Sequence, residues 1–173
     1  IQGAIDEFKL ALLLDPSNVN VHNSLGVCYG LQGEYEAAIE EFKTAAAIDP
    51  QEYMAMFNLG LVHTLKNQPK EALNFFLNAD KINGDVYEVA YQSGKLYLES
   101  GALKKARPYM ERAVKLDPDS GAAHRYLGEC YAAEENFHQA ARLFQKAIQI
   151  EDRREEYFAA LAEAFFQLEE FEQ

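Results

Sequence analysis

The stretch VNVHNSLGVCYGLQGEYEAAIEEFKTAAAIDPQE, residues 19–52, decides the fold. Its apolar and small residues fall at helical spacing twice over, first as Leu25, Val27, Cys28 and Tyr29, then as Ala38, Ile39, Phe42 and Ala45. Gly33 punctuates the middle and Asp49-Pro50 the end. The segment therefore reads as two amphipathic helices joined by a short turn, the second stopped by a proline that cannot continue it.

The pattern returns every 34 residues along the whole chain. Leu25-Gly26 recurs as Leu59-Gly60, Ser93-Gly94, Leu127-Gly128 and Leu161-Ala162, and Tyr29 as His63, Tyr97, Tyr131 and Phe165. Ala38 recurs as Ala72, Ala106 and Ala140, and Phe42 as Phe76, Met110 and Phe144. The closing Asp49-Pro50 becomes Asn83-Gly84, Asp117-Pro118 and Glu151-Asp152, while Ala4, Phe8, Ala11 and Asp15-Pro16 join the series at its start. A fixed period without insertion marks stacked helix pairs that bury their apolar faces on one another. Glycine inside a helix costs about 1 kcal/mol relative to alanine, so Gly26, Gly60, Gly94 and Gly128 at one register imply close helix packing. The fold expected is all-α, an α-solenoid of helix-turn-helix units.

This arrangement resembles the tetratricopeptide repeat family over essentially the entire chain. The resemblance implies a right-handed superhelix of four complete repeats, 19–52, 53–86, 87–120 and 121–154. Residues 1–18 then form the second helix of a preceding repeat and 155–173 the first helix of a following one, as if the chain were cut from something longer that runs on in both directions. Two departures stand out. Tryptophan is absent from the fourth repeat position, where His22, Met56, Ala90, His124 and Phe158 stand, and Pro108 falls inside a second helix, where it removes one backbone donor.

Charge narrows the partners. The net charge is -12, with -6 in residues 1–50 and -6 in residues 151–173. A phosphate backbone is bound by an excess of Lys and Arg that this chain lacks, which argues against nucleic acid. No apolar run approaches the roughly 18 residues of a spanning helix and no secretory signal opens the chain, so no membrane insertion is expected and the setting reads as cytoplasmic.

Catalytic and metal chemistry find little support. Cys28 and Cys130 form no CxxC pair and sit three repeats apart, beyond the roughly 7 Å reach of a disulfide. His22 and His124 are separated in the same way, His63 occupies a packing position, and His138 opens a helix on the outer surface. Adjacent carboxylates at Glu40-Glu41, Glu134-Glu135 and Glu169-Glu170 read as solvated helix faces with no nucleophile converging on them. Lys104, Lys105, Arg107, Arg112 and Lys115 make a local basic patch, read as an outer face balanced by Glu111 and Asp117. No cofactor and no metal is expected, and the chain is not read as an enzyme.

In the family it resembles, the first helices line a concave surface, and the matching positions here define a candidate groove. The first two repeats place Asn20, Asn23, Ser24, Val27 and Leu31, then Met54, Phe57, Asn58, Leu61 and Leu65 there. The next two place Glu88, Tyr91, Gln92, Lys95 and Glu99, then Ala122, Arg125, Tyr126 and Glu129, and the last helix adds Glu156 and Glu163. The lining thus turns from apolar and amide-bearing to charged along its length. Amides present a donor and an acceptor to a peptide backbone, and aromatic rings offer flat contacts for side chains. The two-carboxylate clamp of chaperone-binding relatives is matched only at Asn58, which disfavours that role.

The function expected is a scaffold that binds an extended peptide, with apolar residues toward the first repeats and basic ones toward the last, from a partner protein or from its own parent chain. Two alternatives are a regulatory or substrate-recruiting arm of a multi-domain enzyme and a structural part of an oligomeric or secretion assembly. Phe165 and Phe166 on the last helix point to self-association through an unmatched apolar face.

Overall fold

The structure, a computed structural model, describes residues 1–152 and 154–171. Ten α-helices and no strands are found among them. The first helices of the pairs begin at Val19, Tyr53, Tyr87, Gly121 and Glu155, and the second helices at Tyr35, Pro69, Leu103 and Phe137, so each set repeats at the 34-residue spacing of the sequence. The chain divides into two compact units, Ile1–Gly84 and Asp85–Gln173. The division falls at Asn83-Gly84, where an inter-repeat turn lacks Asp-Pro.

Unit 1 holds α1 (Gln2–Leu14), α2 (Val19–Gln32), α3 (Tyr35–Ile48), α4 (Tyr53–Leu65) and α5 (Pro69–Ile82). Helices pack most closely within the pairs α2–α3 and α4–α5, with α3 also against α4. Phe42 makes both connections. It lies on Gly26 of its own pair and shares a core with Leu59 and Val62 of the next.

Polar links secure the same joints. The Asp15 carboxylate accepts the Ser17 amide at 3.2 Å and Asp49 accepts that of Gln51 at 2.9 Å, which fixes the two Asp-Pro turns. His22 is buried, with Nδ1 2.6 Å from Glu41 of α3 and Nε2 3.0 Å from the Pro16 carbonyl. Glu41 is thereby drawn partly under the surface, which corrects the reading of Glu40-Glu41 as a wholly solvated pair.

Unit 2 holds α6 (Tyr87–Glu99), α7 (Leu103–Leu116), α8 (Gly121–Ala133), α9 (Phe137–Ile150) and α10 (Glu155–Phe171). Its core is built from Ala106, Met110 and Ala113 of α7 and Ala140, Phe144 and Ala147 of α9 against the first helices. α7 runs unbroken through Pro108. Tyr87 and Ser120, 33 residues apart, are joined by a 2.7 Å hydrogen bond, and Ser120 also caps α8 by accepting the Ala123 amide.

The turn inside each pair uses one left-handed residue at one register: Gly33 (φ 80°), Asn67 (φ 56°), Gly101 (φ 74°) and Glu135 (φ 59°). Gly and Asn suit that conformation, which closes the end of a helix. Glu135 does not, and only its register with Gly33 and Gly101 marks the position. No helix among the described residues is long and apolar enough to cross a membrane.

Candidate functional site

The candidate site begins at the start of α4. Glu52 caps that helix, accepting the Met54 and Ala55 amides at 2.9 and 3.0 Å, and its carboxylate also takes the side-chain NH2 of Asn23 on α2 at 2.9 Å. The cap therefore ties α2 to α4 and orients Asn23. The remaining oxygen of Asn23 is buried without a partner. Such an orphaned acceptor costs about 1–3 kcal/mol, which an incoming N–H donor would offset.

Between α2 and α4 lie two adjoining recesses. One, of about 160 Å³, is walled by Val27, Leu31, Leu61 and Leu65 and floored by Phe42 and Val62. Val27, Leu31 and Leu65 are exposed although apolar. An apolar cavity of about 150 Å³ takes up a benzene ring, so this recess suits a single large side chain. The other, of about 360 Å³, is lined by Asn20, Asn23, Ser24 and Met54, with Phe8 and Cys28 behind them. Val27 and Asn58 border both. The Asn58 side chain makes no hydrogen bond to any described residue, so its amide edge is uncommitted where apolar and polar recesses meet.

Phe57 is half-buried on the other side of α4, its ring 5.5 Å from that of Phe76. It borders neither recess.

In unit 2 the corresponding face is aromatic and charge-paired. The rings of Tyr87, Tyr91 and Tyr126 follow one another at 5.5 and 5.8 Å, and the Arg125 guanidinium lies 4.0 Å from the Tyr126 centroid. Burial, with Tyr126 and Tyr87 beside it, pushes the Tyr91 phenol well above its usual range. Arg125 pairs with Glu129 and Lys95 with Glu99 at 3.8 Å, each one turn further along its own helix. Burial raises the Glu129 carboxyl despite Arg125 beside it, because the lost hydration outweighs the attraction. Gln92 is half-buried, with no hydrogen bond to a described residue.

A third recess, of about 200 Å³, lies between α8 and α10. It stands in the register of the apolar one, three repeats on: Glu129 replaces Val27, Glu163 replaces Leu61, Gln167 replaces Leu65 and Ala160 replaces Asn58. Ala160, Ala164 and Gln167 were not read as site residues from sequence, although adding the repeat period to Asn58, Val62 and Leu65 would have found them. No group of three or more His, Cys, Asp or Glu side chains placed to hold a metal occurs among the described residues.

Helix pairs repeating at one period, with Gly–Phe packing inside the pairs and recesses between successive first helices, define a helical-repeat scaffold. Tetratricopeptide repeat models match residues 19–52 and 91–157, and the chain belongs to that family. Among solved structures it is similar to MamA, at 26% identity and a TM-score of 0.76 over 88% of this chain and 89% of that one. It is also similar to YrrB, described as a TPR protein with an unusual peptide-binding site, at 26% identity and a TM-score of 0.74 over 92% and 82%. The pilF protein of Pseudomonas aeruginosa shares the fold, at 20% identity and a TM-score of 0.81 over 97% and 80%. Comparison with curated protein sequences gave no match.

Proposed function

We propose that the chain is a non-catalytic scaffold that holds an extended peptide segment, of a partner protein or of its own polypeptide, along the first-helix faces. The carrying observation is the uncommitted Asn58 amide between an apolar recess and an amide-lined one. An apolar ligand side chain enters beside Val27 and Leu61, while Asn58 bonds the ligand backbone and the buried Asn23 oxygen comes within reach if its side chain turns outward. The peptide-binding site described for the similar protein YrrB supports this reading.

In unit 2 the equivalent recess is rimmed by Glu129, already paired with Arg125, and by Glu163, whose carboxylate favours a basic ligand side chain there. Lys95 and Arg125 are each neutralised within their own helix and do not oppose it.

The test is display selection of peptides on the wild-type chain, followed by affinity measurement on variants. Asn58→Ala is expected to weaken selected peptides by about 1–3 kcal/mol, and Val27→Glu with Leu61→Glu to abolish binding. Peptides that bind the double variant as tightly as the wild type would remove the site from this face.

A second reading rests on α10, where Phe158, Phe165 and Phe166 are 49%, 44% and 56% exposed. A second copy covering them makes the chain self-associate. Sedimentation at rising concentration tests it: Phe165→Ser with Phe166→Ser reduces association, and a monomer throughout rejects it.

A further inference from the structure

The two second helices of unit 2 turn a basic face outward. α7 buries Ala106, Met110 and Ala113, and α9 buries Ala140, Phe144 and Ala147. On the opposite sides stand Lys104, Lys105 and Lys115 in α7 and Arg142 and Lys146 in α9, all exposed. The two faces occupy one repeat register, so stacking turns them to the same side of the unit. Together the helices carry seven Lys and Arg and a single carboxylate, Glu111, in a chain of net charge -12. Glu111 is already engaged, 3.2 Å from Arg107 and 3.2 Å from the Tyr131 hydroxyl. In unit 1, by contrast, α3 is acidic and α5 balanced, so the pattern is not a property of the repeat itself.

These cations are placed rather than neutralised. Lys104, Lys105, Lys115, Arg142 and Lys146 form no ion pair among the described residues. Lys105 lies 5.9 Å from the Tyr97 ring. A ring face steadies a cation without cancelling its charge, which lowers the entropy lost when an anion binds. A recess of about 420 Å³ is flanked by Lys104 and Lys105, with Glu134, held 3.2 Å from Arg107, also on its rim.

We infer that this face is a second interaction surface, separate from the first-helix groove, and that its occupant is an extended acidic segment of a protein. Alternate carboxylates on an extended chain lie about 7 Å apart, close to the roughly 6 Å between Arg142 and Lys146 one helical turn apart. Exposed Gln139, Gln145 and Gln149 offer amide partners to a peptide backbone. A bilayer fits less well, because no large hydrophobic side chain is exposed between residues 66 and 157 among those described. A nucleic acid fits less well too, since Tyr97 and Tyr109 already carry cations and are closed to base stacking. Of the acids close by, Glu111 and Glu134 are both held by Arg107, and those beyond about 8 Å are screened at physiological salt.

The test is fluorescence anisotropy of the full chain with a synthetic peptide alternating Asp and Ser. The same titration is run with an Asn/Ser peptide, with phosphatidylserine-containing vesicles and with single-stranded DNA. The acidic peptide should bind, weaken as salt rises, and lose about tenfold or more in affinity when Lys104, Lys105, Lys115, Arg142 and Lys146 are all changed to Gln. Asn58→Ala, on the groove, should leave that affinity unchanged, which separates this surface from the groove. Far-UV circular dichroism checks that the Gln variant keeps its helices; if it does not, single Lys104→Gln and Arg142→Gln variants replace it. Equal binding of the acidic and neutral peptides, tighter binding of vesicles or DNA, or an affinity unmoved by the Gln substitutions overturns the inference.

Discussion

The ring of Phe76 lies so close over Gly60 that a methyl group added to the glycine would sit 2.5 Å from the ring. The same relation holds at 2.6 Å for Gly26 with Phe42 and for Gly128 with Phe144. At Gly94 the nearest neighbour is the terminal methyl of Met110, at 2.9 Å. A ring edge held by two helices cannot retreat, whereas a methionine methyl can. Gly60→Ala is therefore expected to cost about 1–3 kcal/mol by overpacking. Gly94→Ala should cost less than about 1 kcal/mol, helped by alanine's better helix propensity. Urea denaturation of the two variants checks this, and equal losses would contradict it.

Glu135 occupies the left-handed register that Gly33 and Gly101 fill elsewhere. A non-glycine residue pays roughly 1–2 kcal/mol there, partly balanced by glycine's greater freedom in the unfolded chain. Glu135→Gly is expected to raise stability by about 0.5–1 kcal/mol, and Gly101→Ala to lower it. Thermal melting decides the matter. A Glu135→Gly variant that melts earlier than the wild type would place the strain elsewhere.

Phe42, 1% exposed, links its own helix pair to Leu59 and Val62 of the next. Phe42→Ala should cost about 3–5 kcal/mol. Because each repeat contacts only its neighbours, hydrogen exchange should accelerate in α2–α5 and stay near wild type in α8–α10. A loss below about 1 kcal/mol would deny Phe42 this linking role.

Cys130 is fully buried, and burial pushes its thiol up to about 12, while Cys28 is half-exposed at the amide-lined recess. A thiol-alkylating reagent at pH 8 should modify Cys28 in the folded chain and leave Cys130 intact, as read by peptide mass spectrometry. A selected peptide in the recess should slow the Cys28 reaction. Early modification of Cys130 would show the core opening more readily than its packing implies.

Much of the fold was legible in the sequence because periodicity is a property of order along the chain. The helix pairs, the small residue that admits Phe42, and the turns at Gly33, Asn67 and Gly101 all follow from spacing. The site was legible at the level of which face, since repeat register carries Asn58 and Val27 to the same side. What spacing does not reveal is which side chains are already occupied. Asn23 meets Glu52 across 29 residues, and Phe57 turns toward Phe76 instead of the recess, because both depend on how two helices settle together. Glu135 was legible only through its register with Gly33 and Gly101, because its conformation is imposed by the repeat rather than favoured by the residue.

The Glu52 carboxylate, which starts α4 and holds Asn23 at once, makes the groove floor and a helix terminus share a single acceptor. A ligand that draws the Asn23 amide toward itself must loosen that grip, and a ligand that feeds a donor to the orphaned Asn23 oxygen must tighten it. A peptide bound as proposed would therefore change the exchange rates of the Met54 and Ala55 amides, so that the backbone of the first turn of α4 would report on it.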